Sequence, residues 1–193
     1  MGCFDVSGKN IAGSMATMAL GSYFSTLELF KYREPPEKIT NLLNSLVNSV
    51  SPLGYYVTAV LFYVDFSSQT LEIHNCGFSP VLAFKPLDNN KLGFKALAPA
   101  MSPLGIADTI DLTERQILPI VKDLRICAYS DGLTDMTSAS GSRFGEDRAG
   151  TFIKAMHTRS QDEIGQCLAG EIRRWTGEAS LADDLTLMDL RFL

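Results

Sequence analysis

YYVTAVLFYVDF (Tyr55–Phe66), SSQ (Ser67–Gln69) and TLEIHNCG (Thr70–Gly77) together decide the fold class. The first run is dense in β-branched and aromatic residues, the second is a turn, and the third alternates apolar with polar side chains. They read as a β-hairpin whose first strand is buried on both faces.

Upstream of the hairpin, IAGSMATMALGSYFSTLELF (Ile11–Phe30) is rich in Ala, Met and Leu, contains no Pro and carries one charge, Glu28. It reads as a buried or interface-facing helix, with Met15, Met18, Leu20 and Phe24 either packed in the core or forming a regulatory or dimerising face. Pro35 and Pro36 end that helix and open a second, in which Ile39, Leu42, Leu43, Leu46, Val47 and Val50 recur at helical spacing as far as Ser51-Pro52. Downstream, strands are expected at 81–84, 93–97, 115–118, 124–129 and 185–193, and helices at 146–157 and 161–176. The order helix, helix, strands, helices, strand is that of an α+β fold. With 193 residues, 46% of them hydrophobic, and no repeat or long linker, the expectation is a single domain over residues 1–193.

The bulk composition narrows the function. A net charge of −5 with acids and bases interspersed offers no footprint for a polyanion, so nucleic acid is not an expected partner. Cys3, Cys76, Cys127 and Cys167 are far apart and form no CxxC pair, as in the reduced core of a cytoplasmic protein. No run approaches the ~20 apolar residues of a membrane span, and no signal-peptide pattern opens the chain.

Three segments place aspartate just beyond an apolar run, where a strand end would hold a carboxylate against a cleft: Phe4-Asp5-Val6-Ser7-Gly8, Ala128-Tyr129-Ser130-Asp131-Gly132 and Ala182-Asp183-Asp184-Leu185-Thr186. Taken singly, Asp-Gly is commonly a turn and Asp5 could be a helix N-cap. Asp183-Asp184 is harder to explain that way, because adjacent like charges repel and a divalent cation would resolve the repulsion. Carboxylates from three strand ends suit Mg²⁺ or Mn²⁺, and two histidines without Cys/His spacing disfavour zinc. A pair of such ions can activate water and neutralise phosphoryl charge, which points to phosphoester hydrolysis.

The segments DVSGKN, NCGFSP, SPLGI, AYSDGLTD, FGEDR and ADDLTLMDLRF occur in this order across nearly the whole chain. In that arrangement the chain resembles the stage II sporulation protein E-type branch of the PPM (protein phosphatase 2C-like) serine/threonine phosphatases. The resemblance implies a four-layer αββα sandwich of two antiparallel sheets flanked by helix pairs. It implies that Asp5 bridges two metals, that the Val6 carbonyl faces one of them, and that Asp131 and Asp183 complete the ligands of the other. Gly132, Asp184 and Thr186 would support those ligands. It also implies Mn²⁺ or Mg²⁺ as cofactor, a phosphorylated regulatory protein such as an anti-sigma-factor antagonist as substrate, and an upstream sensory domain.

Some positions depart from the family pattern. An acidic segment usually precedes the DVSG motif, yet four residues precede Asp5, so missing first strands, an incomplete second metal site and a homodimer formed through an uncovered sheet edge are expected. Phe78 stands where the family commonly has His, and His74 reads as a strand residue rather than its substitute. Asn10 replaces a Gly. Lys9, Arg143 and Arg148 could contact a substrate phosphate or be solvated surface cations, and Trp175 is expected to pack over the sheet. The competing readings are an inactive pseudophosphatase or interaction module of the same fold and, from another class, an anti-sigma-type ATP-binding kinase, for which no Gly-rich ATP lid or Asn-bearing helix motif is present.

Overall fold

The computed structural model describes residues 1–8, 11–25, 34–51, 55–87, 91–177, 179 and 181–193, and among these described residues two antiparallel four-stranded sheets and five helices make an α+β architecture. The strands are β1 (Gly2–Val6), β2 (Val57–Asp65), β3 (Thr70–Cys76), β4 (Val81–Leu87), β5 (Lys91–Leu97), β6 (Gln116–Pro119), β7 (Arg125–Tyr129) and β8 (Leu187–Arg191). The helices are α1 (Ile11–Ser25), α2 (Pro36–Val50), the single turn α3 (Asp131–Thr134), α4 (Gly145–Ala155) and α5 (Gln161–Thr176). The chain divides into two compact units, Met1–Phe78 with Ala98–Ile120, and Ser79–Leu97 with Val121–Leu193.

The first unit holds the sheet ordered β1-β2-β3-β6 together with α1 and α2. The expected hairpin is β2–β3, joined in register from Val60↔Asn75 to Asp65↔Thr70. Ala59, Val60, Leu61 and Phe62 are all buried, so β2 is covered on both faces as its unbroken apolar run requires. His74 is indeed a strand residue, and it is fully buried. Its Nδ1 lies 2.6 Å from Thr40 Oγ1 on α2 and its Nε2 lies 2.7 Å from Glu72 Oε1. Tyr63 Oη, 2.9 Å from Thr40 Oγ1, extends the chain of polar contacts that ties α2 to the sheet.

On α2 the buried stripe is Thr40, Leu43, Asn44 and Val47, while Leu42 is exposed. The helix faces inward along a line shifted from the purely apolar one, because asparagine is used there as a clamp. Asn44 Nδ2 donates to Ala107 O at 2.9 Å and its Oδ1 accepts from Gly105 N at 2.9 Å, while Asn48 Nδ2 reaches Ala107 O and Asn41 Oδ1 accepts from Ile110 N. The loop at 105–110 thus has its backbone groups satisfied by one helix face. On α1, Ala16 and Leu20 face inward, whereas Met15 and Met18 are exposed. The expected continuation of α1 over 26–30 lies outside the described residues, as do Lys9 and Asn10.

The second unit holds the sheet ordered β5-β4-β7-β8 with α3, α4 and α5. Its core gathers Leu82, Phe84, Cys127, Tyr129, Leu133, Met136, Phe144 and Ile153. Helix α5 begins with a capping box in which Ser160 accepts from Glu163 N while the Glu163 side chain accepts from Ser160 N. Trp175 packs edge-on against Phe144 at 5.3 Å and donates Nε1–H to Met136 O, so its partners are the α3–α4 connection, with Arg173 and Arg174 exposed beside it. The four cysteines are free thiols, three of them buried. No helix among the described residues is long and apolar enough to cross a membrane.

Candidate metal centre

Each sequence-level aspartate segment forms a built turn at a strand end. In the first unit, β1 pairs antiparallel with β2 so that Asp5 lies opposite Thr58 and Val6 opposite Val57. The strand is closed off by Ser7, whose N–H donates to Tyr56 O at 3.0 Å and whose Oγ accepts from Tyr56 N at 2.9 Å. Gly8 follows at φ +87, a left-handed conformation open to glycine at little cost. A Cβ on Gly13 in α1 would stand 2.3 Å from Gly8 O, so the first turns of the helix rest directly on this turn.

In the second unit, all five residues of β7 are buried, which carries the chain to Ser130 and delivers Asp131 at the surface. Ser130 is the joint. Its N–H donates to Thr186 O at 3.0 Å, its Oγ accepts from Thr186 N at 2.9 Å, and the same hydroxyl donates to Asp184 O at 3.2 Å. The β7–β8 ladder, last paired at Tyr129↔Leu187, is thereby extended one residue to hold the Asp131 and Asp183 turns side by side. Gly132 completes the fit: a Cβ there would meet Asp184 O at 2.2 Å and Asp184 C at 2.8 Å, both backbone atoms that cannot move aside. The crowding is thus against the neighbouring turn. Thr186 and Asp184 take part through their backbone groups, and Asp183 Oδ1 accepts from Asp184 N at 2.9 Å.

The electrostatics of this corner are unbalanced. Partial desolvation, and then the charges of Asp135 and Asp183, push the Asp131 carboxyl above the usual carboxylate range, while the Gly132 N–H and Arg143 oppose the shift. Asp131 therefore lies within reach of two further carboxylates, and Arg143 Nη2 pairs with Asp135 Oδ1 at 2.5 Å. Asp135, whose N–H donates to Asp131 O at 2.8 Å, and Ser130 adjoin these turns and lie beyond the set read from sequence. Asp135 was signalled by its helical i,i+4 spacing from Asp131 in DGLTD, and Ser130 by its position directly before Asp-Gly. Arg148, by contrast, lies over the Trp175 ring at 4.8 Å and donates to Phe144 O at 3.1 Å, which commits it to packing.

The donor set is chemically suited to a hard divalent cation: it is all oxygen, crowded and deficient in positive charge. Among the described residues no group of three carboxylate, histidine or cysteine side chains is placed so that it could by itself hold a metal ion. An ion that keeps several of its waters, as Mg²⁺ does, needs only one or two protein carboxylates in direct contact, and the arrangement fits that requirement.

Comparison with known proteins agrees with this fold. The family model described as stage II sporulation protein E (SpoIIE) matches residues 2–193. Phosphoserine phosphatase RsbP of Bacillus subtilis is 26% identical over 139 residues, 70% of this chain and 33% of its own, so the chain spans about a third of that relative's length. Among solved structures, the SiaA-PP2C domain of Pseudomonas aeruginosa shares the fold with a TM-score of 0.81 at 20% identity, over 99% of this chain and 74% of its own. The catalytic domain of the serine/threonine protein phosphatase PstP, solved in complex with 2 manganese ions, matches with a TM-score of 0.55 at 17% identity, over 96% of this chain and 84% of its own.

Proposed function

The chain belongs to the stage II sporulation protein E family, and from that premise we propose that it is a metal-dependent phosphatase that removes phosphate from phosphoserine or phosphothreonine on a regulatory protein. The observation that carries this reading is the paired turn at the end of the β7–β8 ladder, where Ser130 and Gly132 hold Asp131 beside the Asp183 turn with excess negative charge. We assign Asp5, the Val6 carbonyl, Asp131 and Asp183 as cation ligands on the strength of the DVSG, SDG and DD motifs, with Mn²⁺ or Mg²⁺ as the ion. Gly132, Asp184 and Thr186 support them by fixing the turn.

When bound, the ions supply an activated water and offset phosphoryl charge. The residues of the chain keep the carboxylates at fixed positions so that little reorganisation is needed as charge develops. In the net reaction a water oxygen bonds to phosphorus, the bond from phosphorus to the serine oxygen breaks, and that oxygen leaves with a proton, giving serine and inorganic phosphate. The substrate that fits the resemblance is a phosphorylated anti-sigma-factor antagonist, met in the cytoplasm, with a sensory domain elsewhere in the protein. A homodimer belongs to the same reading. Sedimentation at micromolar concentration tests it, and a monomer there would remove it.

The experiment is release of phosphate from a phosphoserine protein in Mn²⁺, with EDTA as control. The expected result is turnover that EDTA stops and that Asp131→Asn lowers by about 100-fold or more. Metal-independent turnover, or equal turnover by Asp131→Asn, would refute the assignment. Tight binding of the phosphoprotein with no release would favour the pseudophosphatase reading.

A further inference from the structure

We propose that Arg143 is a specificity-determining residue that grips the phosphoryl oxygens of a phosphoserine substrate, an inference that rests on the phosphatase reading above. Its base is held firmly. The loop after α3 closes where Thr137 bridges Arg143, with Ser138 N donating to Ser142 O at 2.9 Å and Gly141 N to Ser138 O at 2.9 Å. The flanking residues Met136 and Phe144 are both buried and are joined by Phe144 N donating to Met136 O at 2.8 Å. Trp175 Nε1 fixes the same Met136 carbonyl from α5.

From this anchor the side chain reaches out. It is 68% exposed, and its ion pair uses one nitrogen, Nη2, on Asp135 Oδ1. A guanidinium carries five N–H donors in a planar fork, so one carboxylate oxygen leaves most of that capacity for a second acceptor. An exposed pair of this kind adds little to stability, about 0–1 kcal/mol, which does not account for a cation held on so well-tied a loop. Asp135 starts one helical turn beyond Asp131, so the pair orients the fork next to the carboxylates.

A phosphoryl dianion approaching Asp131 and Asp183 meets repulsion from the protein itself. Arg143 is the cation that the described residues set against that charge, since Arg148 is occupied by Trp175 and the Phe144 carbonyl. Two parallel N–H donors match two phosphoryl oxygens, a geometry that lysine cannot reproduce.

The test is steady-state hydrolysis of a synthetic phosphoserine peptide in Mn²⁺ by the unaltered chain, Arg143→Ala and Arg143→Lys, with inorganic phosphate as competing inhibitor. Arg143→Ala should raise KM about tenfold or more and weaken phosphate inhibition by the same factor, while kcat falls far less. Arg143→Lys should recover part of both, and thermal melting should match across the three proteins. Unchanged KM and phosphate inhibition in Arg143→Ala would overturn the inference while leaving the phosphatase reading intact. So would a lowered melting temperature with loss of kcat, the mark of a structural role. Absence of any Mn²⁺-dependent hydrolysis by the unaltered chain would overturn that reading and the inference with it.

Discussion

Along the β7–β8 ladder, aspartate occurs in two opposite settings. At the end where Arg125 lies opposite Arg191, both guanidinium groups converge on Asp189 of β8, which accepts from Arg125 Nε at 2.6 Å and from Arg191 Nε at 3.2 Å, and Arg125 also donates to Met156 O. Beyond the other end, Asp131 feels the charges of Asp135 and Asp183, with Arg143 as the partial counterweight. The first setting is closed, since two guanidinium groups donate to the Asp189 carboxylate and to the Met156 carbonyl, with Arg125 at 4% exposure. The second leaves charge uncompensated on a rigid frame. A buried, fully partnered ion pair holds sheet and helix together, whereas crowded carboxylates with too few cations are arranged for something that arrives later.

Breaking the closed end should produce the largest stability loss. Asp189→Asn leaves Arg125 buried without its counter-charge and should cost about 3–5 kcal/mol in urea unfolding. A loss under about 1 kcal/mol, the level of exposed pairs, would mean the two ends are not different in kind. Gly132→Ala tests the frame of the open end. The added methyl would collide with the Asp184 backbone, and a loss of about 1–3 kcal/mol is expected together with reduced phosphate release. Full stability in that variant would show that the two turns are not tightly apposed.

Asp131→Asn should act with the opposite sign. Without metal it removes a like charge from Asp135 and Asp183, so stability should rise slightly, by about 0.5 kcal/mol or less given the solvent screening of a partly exposed group. A clear decrease would mean that Asp131 is a structural residue like Asp189. The smallest effect is a pH dependence from His74, another closed polar group. Burial holds its imidazole below the ordinary histidine value, with Glu72 opposing the shift in part. The unfolded chain therefore takes up a proton first as pH falls. The contribution is complete above the ordinary value of about 6.5 and is lost as pH drops from there towards the lower folded value. Melting curves of the unaltered chain and His74→Gln across this range should diverge, the unaltered chain losing stability more steeply. Parallel curves would count against a neutral, buried His74.

Much of the frame was legible because its signals are local. The apolar run at 59–62 required a strand covered on both sides, and Asp131 follows the apolar strand that was expected to end at Tyr129, whereas Asp5 lies inside β1 and Asp183-Asp184 precede β8. The clamps were less visible because they depend on tertiary placement. Asn41, Asn44 and Asn48 read as the polar side of an amphipathic helix, yet their side chains hold a loop some 60 residues away in sequence. Ser130 reads as part of a turn, and its significance comes from Asp184 and Thr186, which only the β7–β8 pairing brings within reach. Arg143 and Arg148 look alike in the sequence, and it is the Trp175 ring that separates them.

The central claim is the proposal that Asp5, Asp131 and Asp183 are divalent-cation ligands, and calorimetric titration of the chain with Mn²⁺ measures this most directly. Saturable binding to the unaltered protein, weakened at least about tenfold in Asp5→Asn, Asp131→Asn and Asp183→Asn alike, is the expected result. Binding that none of the three substitutions changes would contradict the account.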